Sequence, residues 1–351
     1  MVEKYLTENP SIEIDNTVAK LNPDKVLVIT DKNVEKEVLP KLYNSETIKN
    51  GALISILPGE EGKNIKTVID IWQKLEEIGA TRRSVVINVG GGVVTDLGGF
   101  AAATFKRGLR TINFPTTLLG TVDAATGGKT GINFQGLKNE VGAFHMPFKV
   151  IISAEPFSTL PKEEILSGYA EMVKTALISD RNFYISLLDM DNLINDYSKL
   201  GEAVAKCVEI KEDIVRQDPQ ESGLRKILNF GHTAGHAFES FRIDINNPVT
   251  HGKSVAHGIL VALILSHLKL GFKSDEVNFY SDFLKKYYGS SLISCKDVEA
   301  IINKMNRDKK NKRYGQPSFT LLKEIGVPEI DLMPSQTEIN GALEVYVDKM
   351  S

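Results

Sequence analysis

The run Ser84-Val85-Val86-Ile87-Asn88-Val89 leads straight into Gly90-Gly91-Gly92, and a helical pattern resumes at Val93 and continues to about Phe105. An apolar, β-branched run of this length reads as a buried strand. Glycines at its end let backbone approach a bound phosphate, and the helix that follows offers free N–H groups and a partial positive charge. The flanking segments repeat the theme. Val26–Thr30, Ala52–Leu57 and Thr111–Phe114 read as strands, and Asn64–Ile78 reads as an amphipathic helix with Ile65, Val68, Ile69, Trp72 and Leu75 on one face. Strands alternating with helices predict a mainly parallel, Rossmann-like sheet covered on both faces. The glycine loop departs from the standard dinucleotide fingerprint, because Gly98 and Gly99 come too late. Asp96, one turn into the helix, either complements the helix dipole or meets a cofactor hydroxyl.

The pattern changes near residue 155. Helical periods dominate over about 162–179, 198–217, 223–241, 252–270 and 275–287, and strand signals nearly vanish. We expect an α/β nucleotide-binding domain over 1–157 and an α-helical domain over 158–351.

Composition excludes several classes. A net charge of −3 and no basic stripe argue against nucleic acid. The one dense basic run, Arg307 to Arg313 with Lys309 and Lys310 inside it, reads by itself as solvated surface. Cys207 and Cys295 stand in no metal or redox spacing and read as buried or inert thiols. The polar N-terminus does not resemble a signal peptide, and no apolar stretch reaches about 18 uninterrupted residues. The expectation is a cytoplasmic enzyme without a membrane span.

Three of six histidines, His232, His236 and His251, fall within twenty residues. On a continuous helix, Arg225, Asn229, His232 and His236, spaced 4, 3 and 4, project within roughly 60° of one another. That is a polar stripe among Leu228, Phe230, Ala237 and Phe241, where an apolar face is the norm. It suits either metal binding and catalysis or a satisfied structural network. Glu171 and Lys174 share a face at i, i+3. Alone they read as a surface ion pair, but Gly168-Tyr169-Ala170 and Met172-Val173 around them favour close packing. A carboxylate with two imidazoles suits an open Zn²⁺ site, although spacing does not say which three residues would form it. A His-Glu-x-x-His metalloprotease signature is absent.

Taken in order, these segments resemble one family. The string from Gly90 to Phe100, Pro115-Thr116-Thr117-Leu118-Leu119, Asp123, Gly127-Gly128-Lys129-Thr130-Gly131, Lys138-Asn139, Gly142-Ala143-Phe144, Gly168-Tyr169-Ala170-Glu171 with Lys174, Leu228-Asn229-Phe230-Gly231-His232-Thr233 followed by Gly235-His236, His251-Gly252 and Asp308-Lys309-Lys310 are similar to the motifs of 3-dehydroquinate synthases. The likeness runs from about residue 25 to 320. It departs after His251-Gly252, where Lys253-Ser254-Val255 stands in place of the family's usual Glu-Ala.

The resemblance implies Zn²⁺ or Co²⁺ on Glu171, His232 and His251. It implies NAD against Asp31, Glu60, Lys63, Gly91, Gly92, Asp96, Thr116, Thr117 and Thr159. Substrate would meet Asp123, Lys129, Asn139, Lys174, Lys211, Arg225, Asn229, His236 and one of Lys309 and Lys310. Arg107 would reach the phosphate in the neighbouring subunit of a homodimer. His145, His257 and His267 take no role and are expected to be structural. The implied reaction converts 3-deoxy-D-arabino-heptulosonate 7-phosphate to 3-dehydroquinate and phosphate, a step of the shikimate pathway to aromatic amino acids, with NAD reduced and then regenerated. Three rivals are a sister cyclase of the 2-deoxy-scyllo-inosose or valiolone type, whose substrate lacks a carboxylate, a metal-dependent alcohol or glycerol dehydrogenase, and a non-catalytic structural or binding protein that kept the fold. A full carboxylate-binding set of Lys211, Arg225 and Asn229 favours the quinate-forming branch.

Overall fold

A computed structural model describes residues 3–135, 137–307 and 315–351. The chain divides into two compact units, one comprising residues up to Pro161 with Ile194–Glu209, the other Lys162–Leu193 with Ile210–Ser351. The single boundary expected at 157/158 is therefore replaced by a discontinuous division, because the long helix Tyr197–Gln217 passes from the first unit into the second.

The first unit is built on a parallel sheet of β1 (Glu3–Leu6), β2 (Val26–Asp31), β3 (Ala52–Ile56), β4 (Val85–Gly90), β5 (Arg110–Pro115) and β8 (Lys149–Ile152), in the order β1-β8-β5-β4-β2-β3. Alternate residues feed two apolar layers. Leu27, Ile29 and Val86 pack on one side with Val68, Ile71 and Leu75 of the helix Ile65–Glu77. Val28, Val85, Ile87 and Val89 pack on the other with Ile14, Val34 and Leu39. Burial on both faces is why these strands read as nearly unbroken apolar runs. Two further strands, β6 (Lys129–Phe134) and β7 (Leu137–Phe144), form an antiparallel hairpin against the glycine-loop helix Gly92–Thr104. Gly98 and Gly99 explain themselves here: a Cβ on Gly98 would lie 1.9 Å from Asn88 Oδ1, and one on Gly99 2.5 Å from Thr130 Cγ2. The second glycine pair serves packing rather than phosphate.

The second unit is organised around His251–Leu270, buried continuously from Ser254 to Ser266. By length and composition this helix could cross a membrane, but the helices Lys162–Leu177, His232–Asp244, Ser274–Tyr288 and Gln336–Met350 pack around it. A helix apolar all round is what the centre of a helical domain requires. Two sequence expectations are corrected. Strands do occur, as the hairpin β9 (Phe319–Glu324) and β10 (Val327–Leu332); β9 is buried at four consecutive residues, β10 is nowhere fully buried and the register is interrupted, so neither strand alternates. The helix expected over 223–241 is two pieces, a 3₁₀ segment Leu224–Asn229 and the α-helix His232–Asp244. Gly231 breaks it in a left-handed conformation at φ 77°. Its backbone is so close to the central helix that a Cβ would meet Ile259 Cγ1 at 2.6 Å. Cys207 is buried as expected, whereas Cys295 is exposed at the start of a 3₁₀ turn.

Candidate active site

In the first unit, the chain leaves β2 toward β3 on one side and β4 toward β5 on the other. The carboxyl ends of β2 and β4 therefore flank the reversal point at which open α/β sheets bind ligands. Asp31 ends β2, and Gly91 and Gly92 follow β4. Glu60 and Lys63 follow β3, Thr116 and Thr117 follow β5, and Thr159 lies beyond β8. Several of these side chains hold the fold locally. Asp31 Oδ1 accepts from Asn33 and Val34 N–H, capping the next helix. Thr117 Oγ1 accepts from Gly120 N–H, Thr159 Oγ1 donates to the Pro156 carbonyl, and Glu60 Oε2 accepts from Asn133 Nδ2. The helix starting at Gly92 has no side-chain cap, and the buried Thr116 hydroxyl has no protein hydrogen-bond partner. Uncapped N–H groups beside an unsatisfied buried hydroxyl fit a pyrophosphate-bearing cofactor.

The Lys63 ammonium, only 3% exposed, sits 2.6 Å from both Asp96 Oδ2 and Asn139 Oδ1. Burial, reinforced by Asp123 and Glu60, outweighs Lys63 and pushes the Asp96 carboxyl up to about 6. Asp96, Lys129 and Asn139 line one cavity of about 260 Å³ under the β6–β7 hairpin. Asn139 adopts a left-handed backbone at φ 52°. Asp123 ends the short helix Leu118–Val122. Exposed Arg107 follows Lys106, both left-handed at φ 69° and 48°. That loop is held by Lys106 Nζ on the Ala80 carbonyl and Arg82 Nε on the Lys106 carbonyl.

In the second unit, close helix contacts assemble the histidines. Gly252 is pressed against the helix carrying Glu171, where a Cβ would lie 1.9 Å from the Ser167 carbonyl oxygen, and Gly252 N–H donates to Ser167 Oγ. This sets His251, the first residue of its helix, beside Glu171 one turn beyond Ser167. Gly258 meets the Gly231 carbonyl as tightly, at 2.1 Å from a would-be Cβ, which brings His232 and His236 to the same place. The donor atoms of His232, His236 and His251 all lie within 4.8 Å of one another.

Glu171 is 1% and Lys174 2% exposed, so their ion pair is a core feature and not a surface one. His232 Nε2 and His251 Nε2 stand 3.6 and 3.7 Å from Glu171 Oε1. These gaps are too long for hydrogen bonds and close to the roughly 3.4 Å between donors that share one tetrahedral ion at about 2.1 Å. Neither carboxylate oxygen makes a well-formed hydrogen bond. Both histidines commit Nδ1 elsewhere: His232 to the Phe230 carbonyl at 3.2 Å, His251 to Glu239 Oε2 at 2.9 Å. Burial opposes the Glu171 charge, but Lys174, His232 and His251 outweigh it and hold the carboxyl well below its usual range. The donor set therefore fits a divalent ion.

Arg225, 3% exposed, donates from Nη1 to the Pro219 carbonyl. Asp218 accepts the Arg225 backbone N–H along with those of Ser222 and Gly223, which hold its carboxyl down at about 2. Asn229 Nδ2 donates to Glu221 Oε1 at 2.7 Å. Lys211 is buried on the helix Tyr197–Gln217. Arg225 and Asn229 thus precede the break at Gly231 and do not continue one helical stripe with His232 and His236. Lys309 and Lys310 lie outside the described residues. Glu221, read from the sequence as a possible partner of Arg225, accepts from Asn229; sequence reasoning missed Glu239. Its spacing, seven residues after His232, puts it on the same helix face, but the sequence does not show its partner His251 on the next helix.

Residues 53–167 match the model of the 3-dehydroquinate synthase N-terminal domain, and residues 168–311 that of the C-terminal domain. A 3-dehydroquinate synthase of Parabacteroides distasonis is 42% identical over 334 residues, spanning 95% of this chain and 94% of that protein. Among solved structures, 2-deoxy-scyllo-inosose synthase complexed with carbaglucose-6-phosphate, NAD⁺ and Co²⁺ superposes with a TM-score of 0.83 at 24% identity, covering 99% of this chain and 96% of that one. The 2-epi-5-epi-valiolone synthase of Streptomyces hygroscopicus subsp. jinggangensis, with NAD⁺ and Zn²⁺ bound, gives 0.86 at 22% identity, covering 99% and 97%. The structural likenesses carry the fold, the sequence matches span both halves, and the chain belongs to the 3-dehydroquinate synthase family.

Proposed function

We propose that the chain converts 3-deoxy-D-arabino-heptulosonate 7-phosphate to 3-dehydroquinate and phosphate. The family match supports the reaction class. The observation that carries the site is the buried Glu171 carboxylate faced by two imidazole Nε2 atoms whose other nitrogens are already committed.

Glu171, His232 and His251 would hold Zn²⁺ or Co²⁺, with His236 beside them. The residues at the carboxyl ends of β2 to β5, with Thr159, would hold NAD. Bound, the metal supplies a Lewis acid at a substrate hydroxyl and NAD a recyclable hydride acceptor. The chain's own groups do the rest. Arg225 binds the substrate carboxylate through its planar fork, with Lys211 adding charge and Asn229 orienting a hydroxyl. Lys174 neutralises Glu171 and donates to a substrate oxygen. His236 relays protons between substrate hydroxyls. Asp123, Lys129, Asn139 and one of Lys309 and Lys310 position the phosphate-bearing end.

We assign the enzyme to the cytoplasm and to a homodimer in which Arg107 reaches the partner's substrate phosphate. An equal mixture of Arg107→Ala and Glu171→Gln subunits would then regain about a quarter of wild-type activity, since half the dimers are mixed and each rebuilds one site. The primary test incubates purified enzyme with the heptulosonate phosphate, NAD and Co²⁺. Phosphate release without net NADH is expected. Steady NADH accumulation would show a dehydrogenase, and turnover only of a substrate without a carboxylate would show a sister cyclase.

A further inference from the structure

The two metal-facing histidines are held differently. His232 Nδ1 meets a neutral carbonyl two residues away, at 3.2 Å. His251 Nδ1 meets the Glu239 carboxylate at 2.9 Å, although His251 opens a different helix. Glu239 falls within about 20° of His232 around its own helix, two turns on, so one helix face supplies a proposed ligand and the group that orients another. The Glu239 side chain is 13% exposed and that of His251 28%, so both are only partly hydrated.

We infer that Glu239 is a positioning residue for the metal site: its carboxylate fixes the His251 ring and tautomer and supplies a negative charge that makes Nε2 a better donor. This rests on the metal reading above. An acceptor on Nδ1 holds the N–H there and leaves the Nε2 lone pair toward Glu171, and an anionic acceptor strengthens that lone pair as a neutral one does not. With no atom of Glu239 in the ligand shell, its loss should loosen the metal without abolishing the site.

The test is a competitive Co²⁺ titration against a fluorescent chelator, with visible absorption of the Co²⁺-loaded protein and thermal melting of the metal-stripped protein. Glu239→Gln keeps the length and an amide oxygen for Nδ1, and is expected to bind Co²⁺ about 10-fold more weakly; Glu239→Ala about 100-fold. Both should shift the cobalt d–d bands, which a packing defect alone would not do, and the stripped Gln variant should melt like the parent. Phe238→Leu, a core change on the same helix, controls for packing and should leave affinity within about 3-fold. Equal Co²⁺ affinity and an unchanged spectrum in Glu239→Ala would overturn the inference while leaving the metal reading intact. Failure of the parent protein to bind one Co²⁺ would overturn the metal reading itself.

Discussion

The two units present their candidate groups in opposite ways. In the first, groups gather where strands stop. The glycine backbone, an uncapped helix and short hydroxyl side chains stand there, many of the same side chains also cap helices and turns, and the buried charge of Lys63 is paired with Asp96. In the second, Glu171, Lys174, Lys211 and Arg225 are charged and at most 6% exposed, placed by helices in glycine-mediated contact. Buried charge is costly unless paired, whereas backbone N–H groups at a strand end are present in any such sheet. The helical unit should therefore respond most sharply to single changes of charge, and the sheet unit to changes of shape.

The largest effect is expected at Glu171. Glu171→Gln removes the anionic donor and should lower kcat/KM at least about a thousand-fold, equivalent to roughly 4 kcal/mol of lost charge stabilisation. It also leaves Lys174 buried beside a neutral amide, which should destabilise the protein by about 3 kcal/mol. Glu171→Gln with Lys174→Met should recover stability in urea denaturation but not metal binding. Recovery of both would place the metal elsewhere.

Next comes Arg225. Its guanidinium is buried and tethered to the Pro219 carbonyl, with Asp218 taking up the adjoining backbone. Arg225→Lys keeps charge but loses the fork. A loss of about 2–4 kcal/mol, roughly 30- to 1000-fold in kcat/KM, is expected with metal affinity unchanged. Wild-type kcat/KM in the folded variant would remove the carboxylate role and favour a substrate without one.

In the sheet unit the sharp change is steric. Gly98→Ala drives a methyl group into Asn88 Oδ1, and Asn88 Nδ2 is held at 2.8 Å by Asn113. The expected cost is about 2–3 kcal/mol, with Asn88→Ala in the same chain giving less than the additive loss because the clash partner is gone. Strict additivity by urea denaturation would show that the glycine is not there for this contact.

What could be read in advance follows the same division. The sheet was legible because β2, β4 and β5 are buried on both faces and carry continuous apolar runs. The β6–β7 hairpin was not, since β7 from Leu137 to Glu140 is exposed without alternation. The histidines stood out by type and density. The break at Gly231 did not, because helical spacing assumes an unbroken helix, and only the closeness of Ile259 makes a left-handed glycine necessary. Glu239 was invisible for another reason: a lone glutamate in the middle of a helix reads as solvated until its partner on a second helix is known.

The smallest effect concerns a histidine that takes no part in the chemistry, and it contrasts with the metal-site imidazoles in the same unit. His257 is fully buried in the central helix, and its Nδ1 lies 2.8 Å from the Tyr346 hydroxyl. That oxygen also accepts the Leu292 N–H, at 3.0 Å. Burial, with Lys253 as a second cause, brings the His257 pKa down to about 3 against an ordinary 6.5. The folded state thus refuses a proton that the unfolded chain accepts. Stability from this source is complete above pH 6.5 and is lost progressively as pH falls from 6.5 toward 3, amounting to about 2 kcal/mol at pH 5. His257→Asn removes the titration while retaining an acceptor for Tyr346. The drop in urea-unfolding free energy between pH 7.5 and 5 should be about 2 kcal/mol smaller in the variant, whatever its stability at neutral pH. Other groups titrate in both proteins and cancel in the comparison. Equal drops would mean that His257 is protonated in the fold, and that the central helix tolerates a charge its packing gives no means of solvating.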